Sequence, residues 1–202
     1  MPAIILHITF VRASCAVLVT SYNALMDIAA HGLYGGAGFV TKSKRSFWLA
    51  FWWGIFPDLI AFGLFFPTFL YEHGFQRQQI MRVEPPTLDI IPQYVHMLYN
   101  YSHSLIIFAL VFGLVWIFFK RPVYELLAWG LHILMDIPSH NGGFFPTPFL
   151  YPLSSFQIQG VSWGTPWFFF SYWGILLCIY AVIFLRRRRA RVALQVSRTS
   201  RL

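Results

Sequence analysis

Seven ionisable residues stand inside stretches that are otherwise apolar: Asp27, His31, Asp58, His103, His132, Asp136 and His140, with Ser104 beside His103. In hydrocarbon such groups are costly and by default mark a functional interior. Asp27 and His31 are four apart, as are His132 and Asp136. Residues at i and i+4 share one helix face, so each pair can close on a single ion. Neutral imidazole with carboxylate suits a divalent metal, zinc first and manganese or iron next, better than Ca²⁺ or a soft-thiolate metal. His140 continues the stripe, but it lies about 12 Å beyond His132 on an ideal helix, and Pro138 should end or bend that helix. His140 therefore belongs to a second ion, to a shell behind the ligands, or to the following loop. One intramembrane His is more often hydrogen-bonded between helices than a ligand, and an Asp can serve a proton relay. The constellation as a whole favours metal. Cys15 and Cys178 both fall in apolar runs and read as small buried hydrophobes, which gives no disulfide framework and no thiolate site.

The elements that must hold these groups are written in apolar residues. Of 202 residues, 57% are hydrophobic and 11% charged, with mean hydropathy +0.59. A soluble globular domain carries about 25% charged residues. Runs suited to membrane helices cover Phe47–Leu70, Tyr94–Phe119, Pro122–Ile137 and Trp167–Leu185, with a shorter one from Asn23 to Val40. Residues 3–21 form a further candidate, interrupted by His7 and Arg12. The expected fold class is all-α, a polytopic membrane helix bundle of about five transmembrane segments, or six if that stretch also crosses. Residues 1–25 are an N-terminal apolar extension or extra span, 26–185 the membrane-embedded domain, and 186–202 a basic cytoplasmic tail.

The formal charge of +8 does not point to nucleic acid, because the basic residues cluster beside apolar spans. Lys42, Lys44 and Arg45, then Lys120 and Arg121, then Arg186 to Arg189 with Arg191, all fall on one side if the spans cross as counted. That side is the cytoplasm, the C-terminus included, and loops 71–93 and 138–166 face outward. Measured from the cytoplasmic ends, His31, Asp58 and His132 lie roughly 15 Å deep, Asp27 and Asp136 roughly 21 Å, and His103 roughly 24 Å. Four segments thus carry His or Asp to one slab. His7, His73 and His96 read as interfacial or structural, and Glu125 as a carboxylate in the first turn of its helix.

The ordered pieces Met26-Asp27-Ile28-Ala29-Ala30-His31-Gly32, Gly54-Ile55-Phe56-Pro57-Asp58, Ser102-His103-Ser104 and His132-Ile133-Leu134-Met135-Asp136 carry a resemblance, continued by Thr147-Pro148 and Tyr151-Pro152-Leu153-Ser154. In that order they resemble the membrane-bound metal-dependent hydrolases, the YdjM-like inner-membrane group, over about residues 26–155. The resemblance implies a helical hydrolase of the bacterial inner membrane, with His31, Asp58, His103, His132 and Asp136 at its metal. The sequence departs from that pattern at Ile60, where the family has a second Asp, and at Tyr99-Asn100-Tyr101-Ser102, where it has His-Arg.

The expected activity is metal-assisted hydrolysis. The ion lowers the pKa of a water, which attacks an ester or phosphoester. Asp58 or Asp136, whichever does not coordinate, serves as base or fixes a histidine tautomer. Ser104 is placed to hydrogen-bond near the site. The lipid bilayer is the expected partner, with a lipid or lipid-linked substrate, and no nucleic acid. The alternative is a non-catalytic ion or proton conductor using the same cluster. Haem held by paired histidines is disfavoured by the carboxylates.

Overall fold

The computed structural model describes residues 27–65, 67, 68, 71, 91–142 and 145–199. Every element of regular structure among them is a helix. Helix α1 covers 27–37. It is followed by α2 (Lys44–Phe62), α3 (Gln93–Ser102), α4 (Leu105–Phe119), a 3₁₀ turn (Tyr124–Leu126), α5 (Leu127–Ser139) and α6 (Pro166–Thr199). The expected extension at 1–25 and nearly all of the expected loop 71–93 lie outside the described residues.

Local chemistry sets the boundaries. Ser43 caps α2 by accepting the Ser46 N–H at 2.9 Å, and Gly63 closes the helix on the Leu59 carbonyl. Ser104 caps α4, accepting from the N–H groups of Ile106 and Ile107, and α4 ends where Lys120 turns left-handed at φ 55°. Helix α5 runs one residue past Pro138, to Ser139. Its last turn is held by the Gly160, Val161 and Trp163 N–H groups, which bond the carbonyls of His140, Pro138 and Ser139. The 138–166 loop thus folds back along the end of α5.

Helix α2 is central, packing on α3 and α5. Helix α1 lies so close to α2 and α5 that a Cβ on Gly35 would stand 2.8 Å from both the Ala50 carbonyl oxygen and the Ala128 Cβ. One core cluster joins Leu126, Trp129 and Ile133 to the inner faces of α2 and α4, and the Trp129 indole donates to the Ser102 carbonyl at 2.7 Å. The other gathers Ala61, Phe62, Phe65, Ile91, Val95, Tyr99 and Phe145. Helix α6 is tied to α1 by two phenols: Tyr34 donates to the Tyr172 carbonyl at 2.6 Å and Tyr180 to the Leu33 carbonyl at 2.8 Å.

The all-α expectation stands for the described residues, but the bundle of five or six spans does not. Among these residues one helix, α6, is long and apolar enough to cross a membrane, over Pro166–Gln195, or two if the bent pair α3–α4 counts as one span. The run Tyr94–Phe119 is broken by 59° between Ser102 and Leu105, because Ser104 starts a new helix there. The run Pro122–Ile137 opens as a 3₁₀ turn and leaves 13 helical residues, about 20 Å of rise against about 30 Å of hydrocarbon. Helix α2 starts on Lys44-Arg45 and contains Pro57-Asp58. Apolar content alone does not report such breaks. The orientation and depth arguments, which required uninterrupted spans, fall with the count.

Candidate metal centre

The site is built from three helices and the α3–α4 break. His31 comes from α1, Asp58 from α2, and His132 and Asp136 from α5, while His103 sits in the break. The break positions His103: its own N–H still closes α3 on the Tyr99 carbonyl, and its ring stacks on Tyr99 with centroids 3.8 Å apart.

Three donors form a tight triangle. His103 Nε2 and His132 Nε2 are 3.1 Å apart, and Asp136 Oδ2 is 3.2 Å from the first and 3.1 Å from the second. Asp58 Oδ1 completes the figure, 3.5 Å from His103 Nε2 and 3.8 Å from His132 Nε2. A tetrahedral ion with bonds of about 2.0–2.1 Å needs donors about 3.3–3.4 Å apart. The five edges bracket that value. His31 Nε2 meets the other oxygen of Asp136 at 3.0 Å, and its ring lies 4.1 Å from that of His132. His31, Asp58 and His132 also bring donor atoms within 4.8 Å of one another.

Tautomers give the arrangement its chemical sense. His132 Nδ1 is 2.6 Å from the Gly54 carbonyl, and His103 Nδ1 is 3.2 Å from the Tyr99 carbonyl and 2.9 Å from Ser102 Oγ. A carbonyl only accepts, so in both rings the hydrogen belongs on Nδ1 and the lone pair on Nε2. Two lone pairs and two carboxylates then converge on one small space. This outer fixing of ligand imidazoles is what metal sites use.

The field of the site points the same way. Burial would raise the Asp136 carboxyl, but the surrounding imidazoles of His132, His140, His31 and His103 hold it well below the usual carboxylate range. Burial would lower His132, yet Asp136 and Asp58 hold it above the usual imidazole value. The cluster draws positive charge, as protons or as a cation.

The remaining expected residues sit around this core. His140 spends Nδ1 on the Asp136 backbone carbonyl at 3.2 Å and lies 3.7 Å from Asp136 Oδ1, behind the ligand. Asp27 lies within electrostatic reach of His31, Asp136 and His140 but joins neither group of donors. His96 stacks on Phe145, and Glu125 meets Lys42 at 3.0 Å, away from the centre. The Ser104 hydroxyl donates to the Tyr151 carbonyl while accepting two N–H groups as the α4 cap. Ser104→Ala is accordingly expected to cost about 1 kcal/mol of stability and leave metal content unchanged, as thermal melts beside elemental analysis would report.

Two contributors escaped the reading of the sequence. Gly54, which anchors His132, lay in a quoted motif without a role. Tyr172, whose ring lies 6.2 Å from that of His31, was one aromatic among many. An acceptor carbonyl carries no sequence signal, and a Tyr in an apolar helix reads as an interfacial ring. No family model matches the chain, and neither does any curated protein sequence or solved structure.

Proposed function

We propose that this chain is a membrane-anchored, metal-dependent hydrolase of the kind its motifs resemble, with zinc held by His103, His132 and Asp136. The observation that carries the reading is the inward-facing pair of Nε2 atoms at 3.1 Å, each ring fixed by a carbonyl on its far side. Three protein donors with one position left open is the pattern of catalytic rather than structural zinc.

A bound divalent ion supplies Lewis acidity and brings the pKa of a coordinated water towards neutrality. Asp58 stands at the fourth corner, on the longest edges, with 13% of its side chain exposed where the other four donors keep 2% or less. It takes the proton as the water oxygen bonds to the carbonyl carbon or phosphorus. The bond to the leaving alcohol breaks, and that proton passes to the departing oxygen. His31 orients Asp136 through its second oxygen.

The substrate class, a lipid or lipid-linked ester or phosphoester, rests on surroundings. Helix α4 begins two residues after His103 and has no buried residue, exposing Leu110, Leu114, Trp116, Ile117 and Phe118. Apolar exposure on that scale marks contact with lipid or a partner. Helix α6 carries its apolar stretch into Arg186–Arg189 and Arg191, a basic flank that suits the cytoplasmic side of a membrane. The motif resemblance adds the bacterial inner membrane.

The test separates the base from the ligands. Asp58→Asn should retain the ion yet lose about 10²–10⁴ in the rate of hydrolysis of p-nitrophenyl acetate or bis-p-nitrophenyl phosphate, as expected for a lost general base. Chelator should abolish the wild-type rate and added zinc restore it. Chelator-resistant hydrolysis, or full activity in Asp58→Asn, would refute the mechanism.

A further inference from the structure

Among the described residues the buried side-chain atoms without a hydrogen-bond partner include Asp136 Oδ1, in the proposed centre, and His31 Nδ1 and the Tyr172 hydroxyl beside it. Leaving such atoms unpaired is costly, and each one in a folded protein calls for a reason. Tyr172 belongs to α6, the helix whose other face is apolar and exposed, yet it turns its ring inward, edge-on to His31 at 6.2 Å. Its place is fixed from three sides. The Tyr34 ring lies 4.8 Å away, the Phe168 ring stacks at 6.3 Å, and the Tyr34 hydroxyl holds the Tyr172 backbone carbonyl at 2.6 Å. The charged groups whose fields reach the phenol are Asp27, Asp136 and Asp58, two of which belong to the proposed centre. A buried donor with no protein acceptor, held beside a group of convergent donors, is placed as a group that stabilises an oxyanion would be.

We propose that Tyr172 is a catalytic residue: its O–H donates to the carbonyl or phosphoryl oxygen of the scissile group as negative charge builds there. The inference rests on the hydrolase reading. It gives α6 a second task, since the same helix offers an apolar face to lipid and carries Tyr172 against His31. A phenol is suited to this position. It donates one hydrogen bond, brings no charge to a site already rich in carboxylates, and its ring seals the site against the apolar surroundings.

The experiment compares wild type, Tyr172→Phe and Tyr180→Phe, each zinc-loaded in the same detergent, on p-nitrophenyl acetate and on bis-p-nitrophenyl phosphate. Tyr172→Phe should keep its metal and its melting temperature, because the lost hydroxyl has no protein partner. Its kcat should fall about 10²–10³-fold, the effect of removing one oxyanion donor, while KM moves by a small factor. Tyr180→Phe, which loses the hydrogen bond to the Leu33 carbonyl but supports no group of the site, should melt earlier and keep kcat within about two-fold. The ester that suffers the larger loss identifies whether carbon or phosphorus is the natural centre. An active wild type with an equally active Tyr172→Phe overturns the role of Tyr172 and leaves the hydrolase reading standing. A wild type that holds no metal, or cleaves neither ester, overturns both.

Discussion

Replacing His132 or Asp136 by alanine strips the ion from the protein, while His140→Ala leaves it bound. The triangle of His103, His132 and Asp136 has edges of 3.1–3.2 Å, so each member faces the other two. Removing His132 also frees the Gly54 carbonyl it holds; removing Asp136 releases His31 as well as His103. His140 approaches only the far oxygen of Asp136, at 3.7 Å, and spends its Nδ1 on a backbone carbonyl. Its loss should weaken affinity by at most about 10–100-fold, as for an outer partner of a ligand. Elemental analysis of the three variants and wild type, purified in one detergent, decides. Wild-type metal in all three, or none in the wild type, would end the metal reading. The convergent His and Asp side chains would then be better explained by protons, as a relay or conduction path through the bundle.

The gathering of His and Asp side chains in this chain was more legible in its sequence than its architecture. His132 and Asp136 could be paired from spacing alone, since one helical turn is enough to align them. That His31, Asp58 and His103 would join them followed from ionisable residues set in apolar runs and from motif order, and the three do lie within ångströms of that pair. The helices themselves were misjudged where a polar residue does a backbone job. Ser104 was weighed for chemistry, yet its hydroxyl starts α4 and turns the chain by 59°. That turn is also what brings His103 to face Asp136, so the feature that spoiled the span count is the one that assembles the site. Long-range acceptors such as the Gly54 and Tyr99 carbonyls stayed invisible because every residue has one.

Gly54→Ala should damage the centre without touching a single donor atom. A Cβ at this position would stand 2.7 Å from the His31 carbonyl oxygen and 3.2 Å from the Gly32 Cα. These are backbone atoms of α1, which cannot swing aside as a side chain can. Helix α1 must therefore move off α2, taking His31 away from Asp136, or α2 must move and shift the Gly54 carbonyl that fixes the His132 tautomer. Overpacking of this kind costs about 1–3 kcal/mol, and displacing the outer support of a ligand lowers affinity about 10–100-fold. The control is Gly113→Ala on α4, where an added Cβ meets nothing within 4 Å. There the helix gains up to about 1 kcal/mol from the better helix former, and metal binding is untouched. Melting temperature and zinc affinity of the two variants, measured side by side, read both effects. Wild-type values in Gly54→Ala would mean that the close crossing of α1 and α2 is not what holds His31 and His132 in place.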